Sequence, residues 1–208
     1  DILKLMNINN IIDVIKFESY EDDTTYDVWK VITNNNCFVL KKAKKYELII
    51  YTEFLNNLDI CVPKLYSSIK YNNDDYMLIE YIEGKVLNNC DRSSLIKAVD
   101  ALINIQNFYW NKKEYENIGF TYSDSIEGRR KRKDYLYDSD LEKEYDIYLD
   151  IYSKLPRTLC HDDLLPFNII AGKTNATIID WEYAGMLPYL SSISRLIAHS
   201  GDCDEFFF

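Results

Sequence analysis

Features that would direct a protein to a membrane, to export or to nucleic acid are scarce or absent in these 208 residues. No apolar run approaches the ~20 residues that a membrane-spanning helix needs. The first residues, Asp1-Ile2-Leu3-Lys4, lack the apolar core of a signal peptide. Basic residues number 24 against 34 acidic ones, a net charge of −10, whereas a general nucleic-acid-binding surface has to be basic. We therefore expect a cytoplasmic protein with no membrane and no nucleic-acid partner.

Cysteines with the spacing of a metal site are also missing. The five cysteines are dispersed along the chain, at Cys37, Cys61, Cys90, Cys160 and Cys203. An odd, scattered set without an export signal predicts reduced thiols. Cys160 stands beside His161, but no third partner for a nucleophile is evident. The alternative is that Cys160 is a small, buried apolar residue.

Polar side chains are concentrated between residues 159 and 182. His161 is followed by Asp163 and, five residues later, by Asn168. Pro166 prevents a helix across this segment, because proline lacks an N–H and clashes with the preceding helical turn. The segment is therefore predicted to be a rigid, polar bend.

A β-hairpin is predicted directly after this bend. Two β-branched runs, 169–171 and 176–180, flank the turn-forming Gly172-Lys173-Thr174-Asn175. A hairpin of this kind would return Asp180 to the neighbourhood of Asn168.

This combination of side chains matches what phosphoryl transfer from a nucleotide requires. Mg²⁺ takes oxygen ligands, usually one or two carboxylates together with phosphate and water; Asn168 and Asp180 are the candidates. A further carboxylate has to orient the attacking hydroxyl, which is the role predicted for Asp163, while His161 is predicted to brace the bend. Each Asp or Asn alone is better explained as a turn residue; the combination in a matching context favours the catalytic interpretation.

The same residues carry a resemblance to a known family. His161-x-Asp163-x4-Asn168, followed by Asp180-Trp181-Glu182-Tyr183-Ala184-Gly185, resembles the catalytic and metal loops of the aminoglycoside phosphotransferase and choline kinase superfamily. These small-molecule kinases share the fold of protein kinases. Protein kinases have His-Arg-Asp and Asp-Phe-Gly at the two positions, so the present Asp162 and Trp181-Glu182 favour the small-molecule branch.

The resemblance implies an α+β, two-lobed, protein-kinase-like fold. An N-terminal lobe with an antiparallel sheet is expected over residues 1–82, and a mainly helical C-terminal lobe over residues 83–208. Related proteins have further helices after this point, so we expect the chain to be C-terminally incomplete. The lack of an initiator Met adds to the expectation that it is part of a longer gene product.

The order of elements in the N-terminal half agrees with this implication. Apolar residues at helical spacing predict a helix over 8–16. Strands are predicted over 27–33, 37–41, 64–69 and 76–82, and a helix over 45–58.

In the superfamily, the strand corresponding to 37–41 ends in a lysine that holds the nucleotide phosphates, and Lys41 matches that lysine. Glu47 in the following helix would hold Lys41. Lys42 would face the opposite way by strand alternation. Backbone atoms around Glu80 and Ile82 would bind adenine. Without the resemblance, Lys41 is a solvated strand end, Glu47 a surface carboxylate and 76–82 a buried strand.

Two helices are predicted in the C-terminal half, over 91–106 and 141–152. The basic block 128–133 is interpreted either as a contact for a phosphorylated ligand or acidic partner, or as a solvated helix start or surface loop. Ser192 stands where related sequences have an Asp, while Arg195 is retained.

One departure from the family concerns the loop that covers the phosphates. The corresponding segment, 18–26, has no glycine and four acidic residues, which would repel phosphate unless they point away. Ser19, Thr24 and Thr25 are the candidate hydrogen-bond donors in it.

The resemblance implies an ATP- or GTP-dependent, Mg²⁺-dependent phosphotransferase acting on a hydroxyl of an aminoglycoside, a choline-like amino alcohol or a sugar. The acidic composition suits a cationic substrate. The alternative is a weak or inactive kinase-like protein that binds nucleotide or serves assembly, as the spore-coat relatives do. The sequence names neither the acceptor nor the oligomeric state.

Overall fold

The first part of the chain forms a five-stranded antiparallel sheet in a computed structural model that describes residues 2–18, 25–59, 61–87 and 91–199. The strand order is β1-β2-β3-β5-β4. The strands are β1 (Ile11–Glu18), β2 (Thr25–Thr33), β3 (Cys37–Lys42), β4 (Leu65–Tyr71) and β5 (Asp74–Glu80). A single-turn helix, α1 (Ile2–Leu5), precedes the sheet, and α2 (Glu47–Glu53) connects β3 to β4 through a 3₁₀ turn at Leu55–Asn57.

Side-chain alternation along the strands gives the sheet two apolar faces. On β5, Met77 and Ile79 join the main core, which includes Ile50 and Phe54 from the helical connection between β3 and β4. Leu78 points the opposite way into a smaller core beneath α1, because successive residues of a strand face opposite sides. The sheet is therefore packed between α1 and the rest of the molecule.

The second part of the chain is mainly helical. Its helices are α3 (Arg92–Tyr109), α4 (Tyr122–Arg132), α5 (Ser139–Lys154) and α6 (Leu190–Ala198), with 3₁₀ turns at Lys113–Tyr115, Lys133–Tyr135 and Pro166–Asn168. Short strands lie between them: β6 (Lys85–Val86), β7 (Arg157–Cys160), β8 (Ile169–Ala171), β9 (Ala176–Ile178) and β10 (Gly185–Pro188). β6, β8 and β9 form one small sheet, and β7 pairs with β10 in another.

Side-chain caps explain where the longer helices begin. The Asp91 carboxylate accepts a hydrogen bond from the Ser94 N–H at 2.7 Å, and Thr121 and Asp124 form a reciprocal capping box at the start of α4. Such caps satisfy N–H groups that have no partner within the helix. These caps therefore fix where α3 and α4 begin.

Most of the predicted elements are present, with shifted ends. The strands predicted over 27–33, 37–41, 64–69 and 76–82 correspond to β2, β3, β4 and β5. The predicted helices over 91–106 and 141–152 correspond to α3 and α5. The helix predicted over 45–58 is shorter, because α2 ends at Glu53 and a 3₁₀ turn follows.

The helix predicted over 8–16 is wrong. Residues 11–18 form strand β1, which pairs with β2 from Ile11 opposite Thr33 to Glu18 opposite Thr25. The apolar spacing matched a helix, but the segment is dense in Ile and Val, whose β-branched side chains favour strands. Pairing with β2 decided between the two patterns.

Two sets of residues that the sequence singled out lie outside the described ranges: Ser19 and Thr24 of the segment over the phosphates, and Cys90 and Cys203. Cys37, Cys61 and Cys160 are free thiols. Among the described residues, no helix is both long and apolar enough to cross a membrane.

Candidate active site

Two carboxylates, one close to Lys41 in the sequence and one far from it, meet at the Lys41 ammonium. Its Nζ lies 2.7 Å from Oε1 of Glu47 on α2 and also contacts Oδ1 of Asp180. Lys41 is on the face of β3 that is turned toward α2, whereas Lys42 points the other way and pairs with Asp74 at 2.8 Å. The structure thus brings together Lys41, Glu47 and Asp180, and Lys42 faces away as strand alternation predicts.

Burial and mutual charge set the protonation of this cluster. Glu47 is fully buried, and burial raises its pKa to about 7, although the Lys41 ammonium acts in the opposite direction. Burial works against the charged form of Lys41, but the two carboxylates outweigh it and raise the Lys41 pKa above its usual value. Burial likewise disfavours ionised Asp180, but the neighbouring Lys41 brings the pKa of Asp180 below its usual value. Asp180 is therefore ionised at neutral pH.

The predicted polar bend, residues 161–168, is closed by its own hydrogen bonds. The Asn168 amide donates from Nδ2 to the backbone oxygen of Asp163 at 3.0 Å. Because the amide nitrogen is used inside the bend, the Asn168 side-chain oxygen is left as the atom that can face a ligand. Asp162 adopts the left-handed conformation, with φ of 52°, which turns the chain sharply just before Asp163.

His161 connects the bend to two other elements. Its ring is buried against Trp181, with 4.9 Å between ring centroids, and its Nε2 hydrogen-bonds the backbone oxygen of Ile179 at 2.8 Å. Its backbone N–H donates to Oγ of Ser192 on α6 at 2.9 Å. Burial lowers the pKa of His161, so the ring is neutral. Such contacts suit the bracing role predicted for His161.

The predicted hairpin forms and places Asp180 beside the bend. Ile169 pairs with Ile178 across β8 and β9, and the Ile179 N–H donates to the Asn168 backbone oxygen at 2.9 Å. Asp180 follows with a φ of 64°, a conformation that Asp tolerates better than most residues. Asn168 and Asp180 are thus close neighbours, as the hairpin pattern predicts.

The oxygen groups here suit one divalent cation that keeps part of its water shell. In the described part of the chain, no three His, Cys, Asp or Glu side chains are grouped closely enough to hold a metal alone. Mg²⁺ does not require such a group, because it takes one or two protein oxygens and fills the other positions with phosphate and water. An amide oxygen from Asn168 and the ionised carboxylate of Asp180 fit that requirement.

The two predicted adenine contacts lie at and just beyond the end of β5. The Glu80 N–H donates to the backbone oxygen of Lys64 at 2.8 Å, so this N–H is already used within the sheet. Ile82 is half-buried in the extended segment that follows β5. Adenine binding at these two residues stays a prediction.

A cavity of about 700 Å³ opens beside Asp163. Its wall includes three arginines, Arg129, Arg132 and Arg195, and two carboxylates, Asp162 and Asp163. Arg195 donates to Oδ1 of Asp163 from Nη2 at 2.9 Å and from Nε at 3.2 Å. Arg195 thereby orients the carboxylate that is predicted to align the acceptor.

The sequence interpretation missed the position of Arg129. The sequence predicts for the basic block either a contact with a phosphorylated ligand or acidic partner, or a solvated helix start or surface loop. In the structure, residues 128–132 form the last turns of α4, and Arg129 pairs with Asp162 at 3.0 Å. The capping pattern at Thr121 and Asp124 would have identified the start of this helix, but it does not show which of the basic residues near the end of the helix is buried.

Cys160 is not a nucleophile. Its thiol is fully buried, and burial raises its pKa to about 12, so the thiolate is not populated at neutral pH. Of the two interpretations, the buried apolar residue is confirmed.

Comparison with known proteins places this geometry in context. The profile of the phosphotransferase enzyme family matches residues 16–203. The Protein LicA homolog of Mycoplasma capricolum subsp. capricolum is 28% identical over 192 residues, which cover 84% of this chain and 71% of that protein.

Solved structures with the same fold include a choline/ethanolamine kinase family protein and an aminoglycoside phosphotransferase. A choline/ethanolamine kinase family protein from Mesorhizobium loti superposes with a TM-score of 0.66 at 15% identity, covering 97% of this chain and 68% of that chain. Aminoglycoside phosphotransferase APH(3'')-Id from Streptomyces rimosus, in complex with ADP and streptomycin, superposes with a TM-score of 0.58 at 15% identity, covering 90% and 78%. The predicted α+β, two-lobed, protein-kinase-like fold is confirmed; the boundary between residues 82 and 83 stays a prediction.

Proposed function

Because the chain belongs to the phosphotransferase enzyme family, we propose that it is a kinase that transfers the γ-phosphate of ATP to a hydroxyl of a small molecule. The observation that supports this most directly is the convergence of Lys41, Glu47 and Asp180 next to the bend that carries Asp163 and Asn168. Phosphoryl transfer depends on positioning and charge stabilisation rather than on a covalent group of the protein. The cluster offers both.

Each residue has a specific role in the proposal. Lys41, oriented by Glu47, would neutralise charge on the nucleotide phosphates. Asn168 and Asp180 would hold Mg²⁺, which when bound would stabilise the negative charge that develops on the phosphoryl oxygens. Asp163 would accept a hydrogen bond from the acceptor hydroxyl and aim its oxygen at the phosphorus.

Arg195 leaves Asp163 able to perform this task. Both of its N–H groups are directed at Oδ1. Within the described ranges, no hydrogen bond occupies Oδ2 of Asp163, which lies beside the cavity.

ATP is the proposed nucleotide because a structure with the same fold is a complex with ADP. The acceptor class stays broader. The charged groups of the cavity wall are three guanidinium groups and two carboxylates, a mixture that does not by itself select a cation. We therefore propose a small hydroxyl compound, and the acceptors to compare are choline, an aminoglycoside and a neutral sugar.

The experiment measures ATP turnover and nucleotide binding in matched variants. Asp163→Asn should reduce turnover at least a thousand-fold, while MgATP still raises the melting temperature, because Asp163 contacts the acceptor and not the nucleotide. Asp180→Ala should abolish the Mg²⁺-dependent part of that shift. Asp150→Asn, on an exposed pair with Lys154, is the control and should behave as wild type.

Two outcomes would contradict the proposal. Undiminished turnover in both Asp163→Asn and Asp180→Ala would rule out this mechanism. A wild-type protein that binds MgATP but phosphorylates none of the three acceptors would instead support the nucleotide-binding or assembly role.

A further inference from the structure

Arg129 is a largely buried arginine of α4 that contacts the polar bend, residues 161–168. It projects from α4, 33 residues before its partner, and its Nη2 donates to Oδ1 of Asp162 at 3.0 Å. The side chains of both residues are largely buried, 11% exposed for Arg129 and 13% for Asp162. The contact therefore differs from the solvated pairs elsewhere on α4 and α5, such as Lys131 with Glu127.

Every donor edge of the Arg129 guanidinium is used. Nη1 donates to Oγ of Ser125 at 2.9 Å and Nε to the hydroxyl of Tyr148 at 3.1 Å. The Cζ atom of the guanidinium lies 4.5 Å from the centroid of the Tyr152 ring. A planar group with several donors meets all these partners at once, which a lysine ammonium does not do. The guanidinium is held by α4 and α5 independently of the bend.

Asp162, the residue that Arg129 contacts, has an unusual backbone conformation. Asp162 has a φ of 52°, a left-handed conformation that costs free energy in a residue with a Cβ and persists only where surrounding contacts enforce it. It immediately precedes Asp163. A change at Asp162 would therefore rotate the direction in which the Asp163 carboxylate points.

The neighbouring residues of the bend are fixed from other sides. Ser192 accepts the hydrogen bond of the His161 N–H, and Asn168 donates to the backbone oxygen of Asp163. Both of these contacts hold the main chain. Among the described residues, Arg129 supplies the ion pair that holds the Asp162 side chain.

We propose that Arg129 is a positioning residue for phosphoryl transfer, which through its ion pair keeps Asp162 in the left-handed conformation and so aims Asp163 at the acceptor. The inference rests on the proposed function for its catalytic part. Arg129 acts through Asp162 and does not contact the nucleotide-binding cluster of Lys41, Glu47 and Asp180.

The test compares Arg129→Gln with Arg130→Gln, the adjacent exposed arginine on the same helix. With MgATP and whichever of choline, streptomycin and glucose wild type phosphorylates, Arg129→Gln should lower kcat at least ten-fold and change KM for ATP less than two-fold. A general loss of structure would raise KM for ATP as well. Arg130→Gln should keep both constants within two-fold of wild type.

A double-mutant cycle assigns the effect to the ion pair. Asp162→Asn should lower kcat by a similar factor, and the double variant Arg129→Gln/Asp162→Asn should be no slower than the slower single variant, because both changes break one contact. Multiplication of the two effects in the double variant would show that the residues act separately, and would overturn the proposal. Asp162→Asn also provides the test should Arg129→Gln fail to fold.

Amide hydrogen exchange separates this inference from the proposed function. In Arg129→Gln, exchange of residues 160–165 should accelerate at least ten-fold over Arg130→Gln, with residues 38–42 unchanged. If wild type phosphorylates no acceptor, the proposed function fails, and with it the catalytic part of the inference, while exchange still decides whether Arg129 holds the bend. The inference would be overturned if exchange of residues 160–165 were unchanged in Arg129→Gln. It would also be overturned if, in an active enzyme, kcat of Arg129→Gln were within two-fold of that of Arg130→Gln.

Discussion

At the scale of single residues, burial determines the chemical state of the polar groups in the site. His161 is fully buried, its Nε2 is bonded to the Ile179 oxygen, and its Nδ1 is a buried atom without a partner among the described residues. Burial removes the water that would stabilise a charged imidazolium ring. The pKa of His161 is therefore lowered, although the nearby carboxylates of Asp180 and Asp163 act in the opposite direction. The ring braces the bend as a neutral group.

The neutral state of His161 predicts a pH-dependent stability. As pH falls below about 6.5, the unfolded chain takes up a proton that the folded protein does not, so the free energy of unfolding should fall by up to about 1.4 kcal/mol per pH unit. His161→Gln should lack this loss. The measurement is urea unfolding of both proteins between pH 5 and 8.

Comparing the two proteins removes the opposing effect of Glu47. The Glu47 pKa is raised from 4.5 to about 7, so the folded state binds a proton first and this group favours folding as pH falls through that range. Both proteins contain Glu47. If the free energy of unfolding depends on pH with the same slope in wild type and in His161→Gln, the His161 ring takes up its second proton in the folded protein as readily as in the unfolded chain, and the argument is wrong.

At the scale of elements, close backbone approach fixes where the last strand lies. β10 begins at Gly185, which forms a bridge with Gly119. A Cβ added at Gly185 would lie 1.9 Å from the backbone oxygen of Phe120. The glycine at the end of the Asp-Trp-Glu-Tyr-Ala-Gly run is therefore required by packing between β10 and the segment before α4.

Two glycine substitutions should thus have opposite effects on stability. Gly185→Ala should destabilise the protein by about 3 kcal/mol, because rigid backbone has to move to admit the methyl group. Gly128→Ala, on α4 with nothing within 4 Å of the new Cβ, should stabilise it by about 0.5–1 kcal/mol. Chemical denaturation measures both, and a Gly185→Ala variant as stable as wild type would contradict the packing argument.

At the scale of the whole molecule, Lys41 links the sheet to the second part of the chain. It lies on β3 and contacts Glu47 on α2 and Asp180, 139 residues later in the sequence. Removal of the ammonium would leave the buried Glu47 without its partner. The cluster is therefore a structural connection as well as a candidate nucleotide site.

Replacing Lys41 and Lys42 one at a time tests the two faces of β3 separately. Lys41→Met should lower the free energy of unfolding on the order of 3 kcal/mol, the typical cost of removing one partner from a buried ion pair. It should also abolish the increase in melting temperature with MgATP. Lys42→Met breaks only a partly exposed pair with Asp74, and should cost less than about 1 kcal/mol.

Denaturation and thermal shift of the two variants provide the measurement. An MgATP shift that survives in Lys41→Met would remove Lys41 from the nucleotide site, whereas loss of the shift in Lys42→Met would mean that the wrong lysine had been assigned.

Short-range patterns in the sequence were sufficient for most of the elements and for the bend with its hairpin. Pro166, the β-branched runs on either side of Gly172, and the cap at Asp91 act through contacts a few residues apart, so they can be recognised in the sequence without coordinates. The same patterns misassigned residues 8–16, because an isolated apolar segment does not show whether a neighbouring strand is available for pairing.

Tertiary structure alone decided which charged side chains around the polar bend are buried and paired. Nothing local distinguishes Arg129 from Arg130, or shows that Arg195 would meet Asp163. These pairs form between residues dozens of positions apart, where the packing of α4, α5 and α6 around the bend removes water. Burial and long-range pairing depend on the whole fold. They determine the protonation states and the side-chain orientations of the polar residues that the sequence identifies.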